Sequence, residues 1–119
     1  MIATCVCGGT SIELPEPPTH ATQCNCSYCS KVGGLWSYVA VDAPIILRDE
    51  FGAVFSASGF NQHHFCARCG CQTYGISPDW SLGDTKAPSK KKFAINARLL
   101  DNFHFEKLVI EPIDGRHLW

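Results

Sequence analysis

The amino-acid sequence predicts a mainly β domain of short antiparallel strands with little helix, and three observations carry that expectation. Apolar and polar residues alternate in several short runs rich in aromatic and β-branched side chains. Helical periodicity is scarce, and ten Gly and seven Pro punctuate the chain. A length of 119 residues accommodates one such domain, spanning 1–119, and leaves no room for a second independently folded unit.

In chain order, Pro15, Pro17 and Pro18 mark an extended loop. Residues 35–41, 53–58, 71–76, 92–96 and 105–110 read as strands by their period-two pattern. Good helix formers gather only in 97–101, too short for more than a turn or two. The longest stretch without an apolar pattern, 77–92, reads as a loop. No repeat recurs at a fixed period, although Cys5-Val6-Cys7-Gly8 and Cys66-Ala67-Arg68-Cys69-Gly70 are locally alike.

Ten Lys and Arg against eleven Asp and Glu give a net charge of −1, so the broad basic field of a nucleic-acid binder is absent. Lys90, Lys91 and Lys92 form a local basic patch that reads as solvated. A secretory leader needs a basic start before an apolar stretch, yet the first basic residue is Lys31, and Glu13, Pro15, Glu16, Pro17 and Pro18 break the opening residues. The most apolar region, 35–47, is interrupted by Ser37, Asp42 and Pro44 and is shorter than the ~20 residues that span a bilayer. A cytoplasmic protein with reduced thiols is the expectation, which favours metal ligation over disulfides.

The eight cysteines therefore carry the question of function. Seven fall in three tight groups: Cys5-x-Cys7, Cys24-x-Cys26-x-x-Cys29 and Cys66-x-x-Cys69. Two Cys one or two residues apart on a turn can grip zinc, and such a pair supplies half of a tetrahedral site. A chain wrapping tightly after its second Cys needs a residue tolerant of positive φ. Gly8 follows Cys7 and Gly70 follows Cys69, whereas Ser30 follows Cys29. The economical assignment joins Cys5, Cys7, Cys66 and Cys69 in a closed structural site.

Cys24, Cys26 and Cys29 are then three ligands with an open fourth position, the arrangement of catalytic rather than structural zinc. The alternative is closure of that shell by Cys71 or by one of His20, His63, His64, His104 and His117, which would make both sites structural.

These spacings, with 16 residues between the first two groups and 36 between the second and third, resemble the glutathione-dependent formaldehyde-activating enzyme (GFA) and centromere protein V family. The run Ile95-Asn96-Ala97-Arg98-Leu99-Leu100-Asp101 and the ending Asp114-Gly115-Arg116-His117-Leu118-Trp119 resemble it too, so the likeness covers nearly the whole chain. The resemblance implies an Mss4-like fold with two zinc ions, one on Cys5, Cys7, Cys66 and Cys69 and one on Cys24, Cys26 and Cys29. It further implies a carbon-sulfur lyase that adds glutathione to formaldehyde and gives S-(hydroxymethyl)glutathione. Fold membership does not certify the substrate. The chain departs from the family in having Ser30-Lys31 where many relatives carry a basic pair, in the 77–92 loop and in the additional Cys71.

Partners expected from this reading are a small-molecule thiol and an aldehyde, with no membrane and no nucleic acid; a homodimer stays open. Glutathione carries two carboxylates, for which Lys31, Arg68 and Arg98 are the candidate contacts. Trp36, Tyr38, Trp80 and Trp119 are candidate cleft walls, although aromatics on alternating strands usually fill the core. His63 and His64 are candidate donors to thiolates. Two other functions compete: a non-catalytic, zinc-stabilised binding module, and a methionine sulfoxide reductase-like oxidoreductase that would need Cys71 as its reactive thiol.

Overall fold

A computed structural model describes residues 1–39, 43–56, 59–78, 91–102 and 104–118. The chain is mainly β, with 49% of it in strands and 14% in helix. Strands β1 (Ile2–Thr4), β2 (Thr10–Glu13) and β5 (Ile46–Asp49) form a small antiparallel sheet in the order β1-β2-β5. The larger sheet holds β3 (His20–Cys24), β4 (Trp36–Val39), β6 (Gly52–Phe55), β7 (Gln62–Cys66), β8 (Gln72–Pro78), β9 (Lys91–Asn96) and β10 (Val109–Ile113). Its order is β10-β3-β4-β9-β8-β7-β6.

Alternation buries one side of each sheet against the other. Ala3, Ile12 and Leu14 from the first sheet or its end meet Ala21, Leu35, Tyr74 and Ile95 from the second, with Leu100 and Leu108 sealing the core. Asp49 ties the sheets together by accepting Thr10 Oγ1–H at 3.0 Å and Tyr74 O–H at 3.1 Å.

Four of the expected strands appear with shifted ends, and the described part of 77–92 continues β8 and begins β9. The fifth, 105–110, is corrected. Phe105–Lys107 is a 3-10 turn, and the strand starts at Val109 and runs to Ile113. It lies on a sheet edge, where Pro112 needs no donor. It also runs parallel to β3, with Ile113 opposite Cys24, so the sheet is not purely antiparallel. Residues 97–101 do form a single turn, the 3-10 segment Ala97–Leu99.

Two short helices lacked a periodic signal: α1 (Ser27–Val32) and α2 (Gly115–Leu118). Caps rather than propensity define α1: the Cys26 side chain accepts from the Cys29 N–H, and Gly33 ends the helix at φ 69°. Among the described residues no helix is long and apolar enough to cross a membrane.

Candidate metal centres and the cleft beside the second

The structure gathers seven cysteines into two groups. The sulfurs of Cys5, Cys7, Cys66 and Cys69 all lie within 4.8 Å of one another, and so do those of Cys24, Cys26 and Cys29. In the quartet, Cys7 lies 3.7 Å from Cys5 and 3.6 Å from Cys66, sulfur to sulfur. A tetrahedron with metal–sulfur bonds of about 2.3 Å has edges of about 3.8 Å, so the donor set fits an ion of that kind.

Backbone geometry explains how the quartet forms. Cys5 follows β1, Cys66 ends β7, and each begins a tight turn: Gly8 N–H donates to Cys5 O at 3.0 Å and Gly70 N–H to Cys66 O at 2.8 Å. Gly8 and Gly70 adopt φ 78° and 81°, as the sequence predicts for the two knuckles. Phe51 joins them, since Glu50 N–H donates to Gly9 O at 2.9 Å and Ala67 N–H to Phe51 O at 2.8 Å.

Amide N–H groups converge on the sulfurs. Burial, and the facing Cys69, disfavour a thiolate on Cys5, but the Thr10 N–H, 3.2 Å from its sulfur, and the thiols of Cys7 and Cys66 bring Cys5 below its usual range. The Cys71 and Cys7 N–H groups pull Cys69 down to about 5. Gly9 N–H favours a charged Cys7, yet desolvation and the three facing sulfurs push that thiol up to about 11. Charge on one sulfur thus raises its cost on another, a conflict that a bound cation removes.

Cys71 lies outside the four. It is half-buried, burial raises its pKa, and its sulfur takes the Val6 N–H while facing Cys69.

The second group sits where β3 passes into α1. Cys24 is the last residue of β3, Cys26 caps the helix and Cys29 lies in its first turn. Cys26 N–H points at the Cys24 sulfur at 3.4 Å, and Cys29 N–H at the Cys26 sulfur at 3.3 Å. Desolvation, then the sulfurs of Cys26 and Cys24, drive the Cys29 thiol well above its usual range. Burial and the charges of Cys29 and Cys26 likewise push Tyr28 up to about 12. Among the described residues no His, Asp, Glu or fourth Cys joins this trio within the same distance.

Beside the trio lies a cleft of about 480 Å³ lined by Cys24, Cys29, Ser30, Gly34, Arg98 and Asp114 among others. Arg98 comes to it from 65 residues beyond Gly33: its Nε–H donates to Gly33 O at 2.9 Å, and Asn96 Oδ1 accepts its backbone N–H at 3.2 Å. The buried Asn96 is fixed in turn by donating to Gln72 O at 2.9 Å.

The other two candidate cations lie elsewhere. Lys31 is exposed on the last turn of α1, and Arg68 covers the Phe51 ring at 5.1 Å beside the quartet.

His63 stacks on Tyr28 with ring centroids 3.7 Å apart, and His64 on Tyr74 at 4.2 Å, so the two histidines brace aromatic layers on opposite faces of β7. Trp36 is buried, while Tyr38 is 52% exposed with the Lys92 ammonium 5.3 Å from its ring. Trp80, Trp119, Lys90 and most of the 77–92 loop lie outside the described residues. Sequence reasoning missed Asn25 and Asp114 as neighbours of the trio; the parallel pairing of β10 with β3 joins them, and no local pattern announces it.

No protein-family profile and no curated protein matches the chain. The structure is similar to the crystal structure of a Rhodobacter sphaeroides protein, a structural-genomics target, at 22% identity and a TM-score of 0.70 over 94% of this chain and 98% of that one. That likeness establishes a shared fold.

Proposed function

We propose that the chain is a zinc-dependent carbon-sulfur lyase of the glutathione-dependent formaldehyde-activating kind, on an Mss4-like fold, joining a small thiol to formaldehyde or a related aldehyde. One observation carries the reading: four cysteines form a complete tetrahedral set, whereas three others gather at the wall of a cleft that holds Arg98, with no fourth protein ligand beside them among the described residues. Closed sets suit structural zinc and three-ligand sets suit catalytic zinc. Zinc on Cys24, Cys26 and Cys29 would supply Lewis acidity and favour a thiolate at neutral pH.

The chain's own residues supply the rest. The trio's amide N–H bonds hold the sulfurs in place, and Arg98, braced by Gly33 and Asn96, presents a cation to an anionic substrate group. Juxtaposition of thiol and aldehyde in one cleft lowers the entropic part of the barrier. In the reaction the sulfur–carbon bond forms, the carbonyl π bond breaks, and the thiol proton ends on the aldehyde oxygen.

The test uses purified, zinc-replete protein with glutathione and formaldehyde, following adduct formation above the uncatalysed rate. Acceleration that disappears in Cys26→Ser supports the lyase. A zinc content of two per chain with no acceleration, and no glutathione-induced change in the absorption of a cobalt-loaded second site, overturns it in favour of a binding module.

A further inference from the structure

We propose that Gln72 is a positioning residue for the second centre, holding the helix that carries Cys29 and the turn that carries Arg98 in a fixed relation to each other. The inference rests on the proposed site, the trio with Arg98, and not on the reaction carried out there.

Helix α1 needs such a hold. None of its six residues is buried, and a helix of that length is not stable by itself. Tyr28, between Cys26 and Cys29, supplies a side chain that reaches the large sheet. Its ring stacks on His63 with centroids 3.7 Å apart, and its O–H donates to Gln72 Oε1 at 2.5 Å.

The two contacts meet because of an irregularity in the sheet. β7 and β8 pair from Gln62 opposite Ile76 to His64 opposite Tyr74, then slip so that Phe65 faces Gln72 and Thr73 becomes the extra residue. Thr73 Oγ1–H donates to His64 O at 3.1 Å and fixes the slip. Side chains alternate along a strand, so without it Gln72 would share the face of Tyr74 and His64. The bulge turns Gln72 to the face of His63, where one tyrosine receives both.

The backbone of Gln72 reaches the other way. Its carbonyl accepts Asn96 Nδ2–H at 2.9 Å, and Asn96 Oδ1 accepts the N–H groups of Arg98 at 3.2 Å and Leu35 at 3.4 Å. Arg98 Nε–H then returns to Gly33 O, at the end of α1, at 2.9 Å. The bonds close a ring from Tyr28 through Gln72, Asn96, Arg98 and Gly33 back along the helix. Such a ring gathers the sulfurs and sets their distance from the cation before any ligand arrives, so less ordering is left for binding to pay.

Tyr28→Phe removes only the hydroxyl and keeps the stack, while Gln72→Leu removes the acceptor and leaves the carbonyl. In chelator competition on the two-zinc protein, each should weaken the second site roughly 2- to 10-fold, the worth of one hydrogen bond, with the quartet unchanged. The double variant should lose no more than either single one, and the absorption of the cobalt-loaded second site should shift. In ¹⁵N spectra the Arg98 Nε–H resonance should move in both variants. The Ser30 and Gly33 amides, bonded to Cys26 O and Cys29 O, should exchange faster with solvent.

Additive losses, equal losses at both metal sites, or an unmoved Arg98 resonance with α1 amides exchanging as in wild type would each overturn the proposal. A wild-type content of one metal per chain would refute the trio as a metal site, and the Arg98 resonance and amide exchange would still decide the role of Gln72.

Discussion

The Asn25 side chain donates to Asp114 Oδ1 at 2.9 Å across 89 residues of chain, and its own oxygen accepts the Arg116 N–H at 2.9 Å. A third bond, from Asn25 N–H to Ile113 O at 3.2 Å, completes a brace around the residue that separates Cys24 from Cys26. The C-terminal segment thereby holds the bend that aims two sulfurs at one point. Asn25→Ala should weaken metal binding at the second site about 10-fold while leaving the quartet intact. Metal-by-metal chelator titration checks this, and equal loss at both sites would mean general destabilisation instead.

Cysteine substitutions should separate the two groups. Structural zinc sites contribute roughly 10–16 kcal/mol of apparent binding energy, as much as the ~5–15 kcal/mol net stability of a domain. Cys66, fully buried and joining β7 to the quartet, is therefore expected to be indispensable, with Cys66→Ser failing to fold. Cys26→Ser should lose one metal and remain folded. Metal content with far-ultraviolet circular dichroism reads both outcomes, and an unfolded Cys26→Ser would make the trio structural.

Gly70 offers a cleaner test of the knuckle. A Cβ there would meet nothing within 4 Å, so the φ of 81° alone sets the penalty. Gly70→Ala should cost about 1–2 kcal/mol, equivalent to a fall in Tm of roughly 4–8 °C. Gly8→Ala, with φ 78° and equally open surroundings, should match it. A neutral result in thermal denaturation would remove backbone strain as the reason for glycine at these positions.

Acid should destabilise the fold partly through His63. Desolvation, and then the nearby His64, lowers its pKa from the usual 6.5. A histidine held neutral in the folded state binds fewer protons than its unfolded counterpart, so its contribution is complete above about 6.5 and is lost as pH falls toward the lower folded value. His63→Phe keeps the stack on Tyr28 without the titrating group. Urea midpoints with excess zinc should show the variant gaining on wild type between pH 7.5 and 5.5; a constant difference would deny the charging cost.

Arg98 provides the kinetic prediction. Charge-assisted hydrogen bonds to a carboxylate contribute about 1.5–3 kcal/mol, so Arg98→Ala should raise KM for a thiol acid roughly 10- to 100-fold. For a thiol without carboxylates the change should be small. Equal losses on both thiols would assign Arg98 to shaping the cleft through Gly33 rather than to binding.

The sequence alone specified how the thiols divide, because short spacings and the glycines after Cys7 and Cys69 impose local turn geometry that needs no distant partner. Alternation likewise announced β4, β6, β8 and β9, since burial on one face demands period two, but not β3 or β7. Local information could not say whether a histidine or Cys71 completes the trio, which cation reaches it, or what braces Asn25. Those answers came from long-range pairing: β10 lies parallel to β3, which carries Asp114 to Asn25, and Asn96 and Gly33 direct Arg98 to the cleft. Such contacts arise from sheet order and core packing shared among many residues, so no single stretch of chain encodes them.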